Sequence, residues 1–137
     1  MLMLDAELNR KIIRLAPTHV ARDTAPGTFQ ELAGQRVAGR LVVWSGASDL
    51  TIYGDARVNH AFRAWHDALH LSLNAPFTLE GETRVAIEQA RLIGSDAWAH
   101  VVLAEVVGQA EYLAKHGSFP ADQTAFILSY LKTGRVA

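Results

Sequence analysis

Residues 55–73 read DARVNHAFRAWHDALHLSL, and this stretch decides the fold class. Val58, Phe62, Trp65 and Leu69 recur at i, i+4, i+7 and i+11, the spacing of one face of an α-helix. Asp55, following Gly54, supplies a side-chain oxygen to cap the first turn, and Asn74 and Pro76 end the run. One residue after each apolar position stand Asn59, Arg63, His66 and His70. They form a second stripe about 100° around the helix. That places them at the edge of the core, partly desolvated yet reachable.

Downstream the helical period continues. A second helix is expected from Leu79 to Ile93, broken by Gly94-Ser95-Asp96, which offers a new N-cap. A third runs from Ala97 to His116 and closes at Gly117, and a last one starts with Pro120 in its first turn and reaches Lys132. The loops after residue 54 are short, so consecutive helices should pack antiparallel. Upstream, Val37–Trp44 (VAGRLVVW) is the best strand, Ser45–Leu50 a turn, and Thr51-Ile52-Tyr53 a short returning strand. Residues 16–28 carry two prolines and small polar residues and read as a loop or arm, with Phe29 and Leu32 anchoring one short turn. Leu4, Leu8, Ile12 and Leu15 mark an N-terminal helix over 2–15 that Pro17 closes. The expected fold is α+β and predominantly helical: four to five helices with a small β-hairpin. It forms one domain over 1–137, with a helix and arm over 1–35 and a helical core with the hairpin over 36–137.

The composition agrees with a globular domain: half of the 137 residues are hydrophobic and a fifth are charged. Thirteen basic against fourteen acidic residues, with no block of one sign, announce neither a nucleic-acid nor an anionic-membrane partner. The absence of cysteine excludes disulfides, thiolate ligands and a cysteine nucleophile. The N-terminus meets charge at Asp5, unlike a signal peptide, and Glu105 interrupts the apolar run at 101–107, so a cytoplasmic location is expected.

The chemistry concentrates on the polar stripe. His66 and His70, four apart on one helix, can aim an imidazole nitrogen each at one cation. Two acidic residues compete for the third ligand. Glu82 follows the loop after His70 and shares an inward face with Ala86, Gln89 and Ile93, whereas Glu80 suits a helix N-terminus and Arg84, Glu88 and Arg91 a solvated ion-pair face. Glu105 lies in VVLAEVVGQ, apolar on almost every side, so its carboxylate must be neutral, paired or metal-bound. Gln109 is one turn further on. Arg63 and Asn59 would hold an anionic or carbonyl group of a substrate, and Asp67 would move a proton. Against these stand plainer roles: Arg63 as an ion-pair partner of Asp67, the stripe as a structural hydrogen-bond network, and Trp44, Trp65 and Trp98 as core residues.

Three resemblances attach to these residues. The pair His66-x-x-x-His70 resembles the zincin metalloprotease helix, with Asp67 where that motif has its glutamate base. His66-Asp67-x-x-His70 followed by Phe77 and Gly81-Glu82 looks like the centre of HD-type phosphohydrolases. That likeness implies an upstream histidine (His19 or His60) and a downstream aspartate (Asp96 or Asp122). RAWHDALH, EGE, EVVGQAEY and FPADQTAF resemble small uncharacterised phage and prophage proteins over residues 40–131. This last likeness groups Arg63, His66, Asp67, His70, Glu82, Glu105 and Gln109 as one constellation. The resulting expectation is a metal-dependent hydrolase, phosphoester before peptide. His66, His70 and Glu82 would hold Zn, Mn or Fe, Asp67 and Glu105 would be catalytic, and Asn59, Arg63 and Gln109 would bind a small or phosphate-bearing substrate. The alternative is a non-catalytic phage accessory module that binds a host protein.

Overall fold

The computed structural model describes residues 5–34, 36–37, 40–46 and 51–133. Helix α1 (Ala6–Leu15) is capped by Asp5, whose carboxylate accepts from the Glu7 and Leu8 amides and also from the Trp98 indole at 2.8 Å. Leu8 and Ile12 of α1 are fully buried against the central helix, each worth about 2–3 kcal/mol of transfer free energy. Leu4 lies outside the described residues.

The sheet corrects the expected strands. β1 (His19–Arg22) runs parallel to β3 (Arg40–Trp44), pairing His19 with Leu41 and Arg22 with Trp44, while β2 (Arg36–Val37) pairs antiparallel with the other edge of β3. The supposed arm at 16–28 therefore contains a strand, and α2 (Phe29–Gly34) is the crossover that a parallel pair requires. Within the stretch read as one strand, Val37 turns back to pair antiparallel with Arg40. Thr51-Ile52-Tyr53 do not return to the sheet; they form a buried turn leading into the next helix, and residues 47–50 lie outside the described part. β-branched and aromatic residues there serve core packing, which a strand signal does not distinguish from pairing.

Helix α3 (Ala56–Leu73) matches its sequence signature, with Asp55 as N-cap and Asn74 in the left-handed conformation (φ 51°) as C-cap. Helix α4 (Leu79–Ile93) begins at the N-cap Thr78 and ends at Gly94 (φ 89°). Ser95 caps α5 (Asp96–Leu103), which continues through a π-helical turn (Ala104–Gly108) into α6 (Gln109–His116), and Gly117 closes the run. The single helix expected there is thus interrupted by a change of hydrogen-bonding pattern. Helix α7 (Gln123–Thr133) starts later than expected: Asp122, not Pro120, opens it by accepting from the Ala125 amide. Counting α5 through α6 as one, the described residues hold six helical segments, more than the four to five expected because α2 is a helix in its own right.

The core surrounds α3. Phe62 stands edge-on to Trp65 and tilted against Tyr53, with Val58, Ala86, Ile93, Val102 and Ile127 closing around them. Trp65 is buried and Trp98 partly so, but Trp44 is half exposed, a correction to its expected core role. No described helix is long and apolar enough to cross a membrane.

Candidate metal centre

The polar stripe of α3 is buried more deeply than its edge position implies, because α4 packs directly over it. Asn59 and His70 are buried, His70 completely. The register of α4 against α3 is set at Gly81. A Cβ there would lie 1.9 Å from the Pro76 carbonyl oxygen, so only glycine lets the first turn of α4 rest on the Asn74–Thr78 connection. Thr78 fixes that turn by accepting from the Gly81 amide at 3.1 Å. The residue after Gly81 is Glu82, and this close approach brings its carboxylate over the two histidines.

Three ligand atoms converge there. Glu82 Oε2 lies 2.7 Å from His66 Nε2 and 3.1 Å from His70 Nε2, and the two Nε2 atoms are 3.0 Å apart. Among the described residues this is the group of three able to hold a metal ion. The opposite ring nitrogens are also engaged. His70 Nδ1 is 2.6 Å from the Ala75 carbonyl oxygen, and His66 Nδ1 is 2.8 Å from Gln89 Oε1. The Ala75 backbone carbonyl only accepts, so His70 Nδ1 carries a proton, and His66 Nδ1 does so with Gln89 presenting its oxygen. Each neutral Nε2 then presents a lone pair, and both lone pairs face a carboxylate oxygen. Three acceptors within 3.1 Å require a cation among them, a metal ion or a proton. Phe77 stands edge-on to the His70 ring at 4.8 Å, and Phe62 stacks on His66 at 6.3 Å, so both rings are wedged.

The electrostatics follow this geometry. Burial raises the Glu82 carboxyl, but the hydrogen bonds to His66 and His70 outweigh it and hold it at about 2. Burial lowers His66, but Glu82 outweighs that and raises it above its ordinary value. Asp67 is pushed up to about 6 by burial, against the attraction of His66, His70 and Arg63.

Of the two acids weighed for the third position, Glu82 is the one that lies with His66 and His70. Glu80 is exposed at the start of α4. Glu105 sits on the π-helical turn, bonded to Gln109 and within electrostatic range of Arg63, His66 and Tyr53, but outside the three-ligand group. Its burial pushes it up to about 7, and its Oε2 has no hydrogen-bond partner among the described residues. Arg63 donates through Nη1 to the Trp44 and Gly46 carbonyls and lies 5.4 Å over the Trp44 ring, so it ties α3 to the end of β3. The charge of Asp67, the plainer partner proposed for it, favours the charged guanidinium, as does that of Glu105. Of the supposed solvated face of α4, Glu88 and Arg91 do pair, while Arg84 donates to the Leu73 carbonyl at the end of α3.

The remaining acid and histidine candidates have local partners. His19 bonds the Pro17 carbonyl, His60 lies near the Ser45 carbonyl, and Asp122 caps α7. Asp96 lies in the first turn of α5. Two members of the site escaped sequence reasoning as functional groups: Gln89 and the Ala75 carbonyl. Gln89 had a signal, since it lies seven residues from Glu82 on the same face of α4. A backbone carbonyl has none.

No family model matches the chain, and comparison with curated proteins and with solved structures gives no significant match to either.

Proposed function

We propose that the protein is a divalent-metal-dependent hydrolase whose ion is held by Nε2 of His66, Nε2 of His70 and Oε2 of Glu82. The observation that carries this reading is the convergence of three acceptor atoms whose ring partners already have their protons committed to Ala75 and Gln89. Ligand histidines characteristically donate their second nitrogen to a carbonyl or carboxylate, which fixes the ring and raises its basicity. A metal bound here would polarise water for attack on an ester, and phosphoesters are preferred because Asp67 replaces the glutamate base of the protease motif. Asp67, which follows His66 on α3, would take the water's proton.

Metal and proton compete for one place, which sets the pH behaviour. The raised His66 stabilises the metal-free fold fully below about 6.5, and that contribution is lost as pH rises through its folded value. The depressed Glu82 contributes above about 4.5 and is lost as pH falls toward about 2. Metal-free protein should therefore gain most from this pair between those limits, and metal affinity should rise with pH as His66 gives up its proton. Calorimetric titration of zinc or manganese at pH 5.5 and 7.5 should show one site, tighter at 7.5, with proton release. His66→Ala should abolish both it and the metal-stimulated hydrolysis of a simple aryl phosphodiester. Equal metal binding by wild type and variant refutes the site; metal binding without hydrolysis of any ester refutes the enzyme.

One observation favours a second reading, in which the stripe is a structural network. Gln89 Nε2 is buried with no partner among the described residues. With the amide turned over, Gln89 would donate to His66 Nδ1, and His66 Nε2–H would donate to Glu82 without any metal. Gln89→Glu separates the two. As an acceptor for Nδ1–H, a carboxylate should maintain or raise metal affinity, as in carboxylate–histidine–metal triads. If Gln89 donates, the variant sets an anion against a lone pair, and denaturant melts should show a loss of about 1–3 kcal/mol.

A further inference from the structure

The three ligand atoms form a triangle with edges of 2.7, 3.0 and 3.1 Å. For bonds of about 2.1 Å, two ligands at a tetrahedral angle lie about 3.4 Å apart, and two at a right angle about 3.0 Å apart. Every edge is close to or below the second value, and none reaches the first. Two of the edges end on the Glu82 carboxylate, but the 3.0 Å edge between the two Nε2 atoms opens only by turning a histidine ring. His70 is held by the Ala75 carbonyl at 2.6 Å and by the edge of Phe77, and His66 by Gln89 at 2.8 Å and the face of Phe62. The 3.0 Å separation of the two Nε2 atoms, that of ligands at a right angle, is thus built into the packing of α3 on α4.

Resting on the metal reading above, we infer that the site is one face of an octahedron, with three neighbouring positions left for a ligand that chelates through two oxygens and for one water. Two histidines and one carboxylate on a face suit Mn(II), Fe(II) or Co(II) better than tetrahedral zinc. The open side is set by burial. His70 is closed off, while His66 and Glu82 keep 16 % and 24 % of their side-chain surface exposed, so ligands approach past those two. The chemical consequence concerns the substrate. A tetrahedral site with three protein ligands has one free position and must expand to hold water and substrate together. A facial site holds the water beside a substrate oxygen from the outset, and its third free position selects substrates with a second oxygen donor placed to close a chelate ring. An oxyanion beside a hydroxyl or carbonyl has that form.

Cobalt(II) absorption tests the geometry without any assay of activity. Full-length metal-free protein loaded with one equivalent of Co(II) should show the weak visible bands of six-coordination. Oxalate, used as a two-oxygen probe, should shift those bands while the Co(II) stays with the protein through dialysis. Intense tetrahedral bands at one equivalent would overturn the facial inference and leave the metal site standing. Oxalate that removes the ion, or binds without moving the bands, would overturn the chelating ligand. Failure to retain Co(II), or equal retention by wild type, His66→Asn and Glu82→Gln, would overturn the metal reading itself. Ligand loss is expected to weaken Co(II) binding by more than about 100-fold, beyond what loss of an outer-shell partner does.

Discussion

Gly81→Ala is expected to destabilise this protein strongly for a change of one methyl group. The new Cβ would sit 1.9 Å from the Pro76 carbonyl oxygen and 3.0 Å from its carbonyl carbon. Both are backbone atoms, so no side chain can swing aside. Either α4 lifts from the Asn74–Thr78 connection, or that connection shifts beneath it. The first course carries away Glu82 and the second moves Ala75, whose carbonyl holds His70. Overpacking typically costs about 1–3 kcal/mol, and a backbone clash of this depth belongs at or above the upper end. Denaturant melts should show that loss, and metal affinity should fall with it even where the variant remains folded. Wild-type stability in the variant would mean that α4 does not depend on this contact for its place.

Glu105→Gln should act in the opposite direction. Its folded value is raised to about 7 by burial, from an ordinary 4.5. For an acid the sign is then fixed. Below about 4.5 the group is neutral in both states and costs nothing. As pH rises from there, the unfolded chain ionises more readily, so the fold loses stability up to about pH 7 and keeps that deficit above it. Glutamine removes the deficit, so the variant should be more stable at pH 8 by on the order of 2–3 kcal/mol and little changed near pH 4. Arg63 does not depend on Glu105 alone, because it donates to the Trp44 and Gly46 carbonyls and rests on the Trp44 ring. A loss of about 3–5 kcal/mol at pH 8 would instead identify Glu105 as the indispensable partner of a buried cation. Metal affinity should hardly move, since Glu105 lies outside the His66–His70–Glu82 group.

The helices were legible because their signals are local. Asp55, Ser95 and Gly117 sit at helix ends where caps belong, and the 58, 62, 65, 69 spacing does mark the buried face of α3. The sheet was not legible in the same way. His19–Arg22 lies between prolines and resembles a loop, and its parallel partner β3 is some twenty residues away, so no neighbouring turn announces the pair. The histidine pair could be read from spacing alone, and Glu82 only as one of two acids competing for the third position. What holds them could not: the Gly81–Pro76 contact is an accident of backbone proximity, and the π-helical turn under Glu105 leaves no pattern in VVLAEVVGQ. Glu105 was correctly expected to be buried, but burial alone does not place a carboxylate beside the histidines.

The contacts of the site also differ from those of the rest of the molecule in how much chain they enclose. The links from His66 and His70 to Ala75, Glu82 and Gln89 close loops of 5, 12, 16 and 23 residues. By contrast, Asn9 reaches Tyr53 across 44 residues, and Trp98 reaches Asp5 across 93. Closing a short loop costs less chain entropy and happens sooner than closing a long one. The ligand set therefore belongs to a helical hairpin that can assemble while the N-terminal helix and the parallel strands are still apart. An ion bound as proposed would cross-link that hairpin alone, since His66, His70 and Glu82 all lie within it and none of the three comes from the N-terminal helix or the strands.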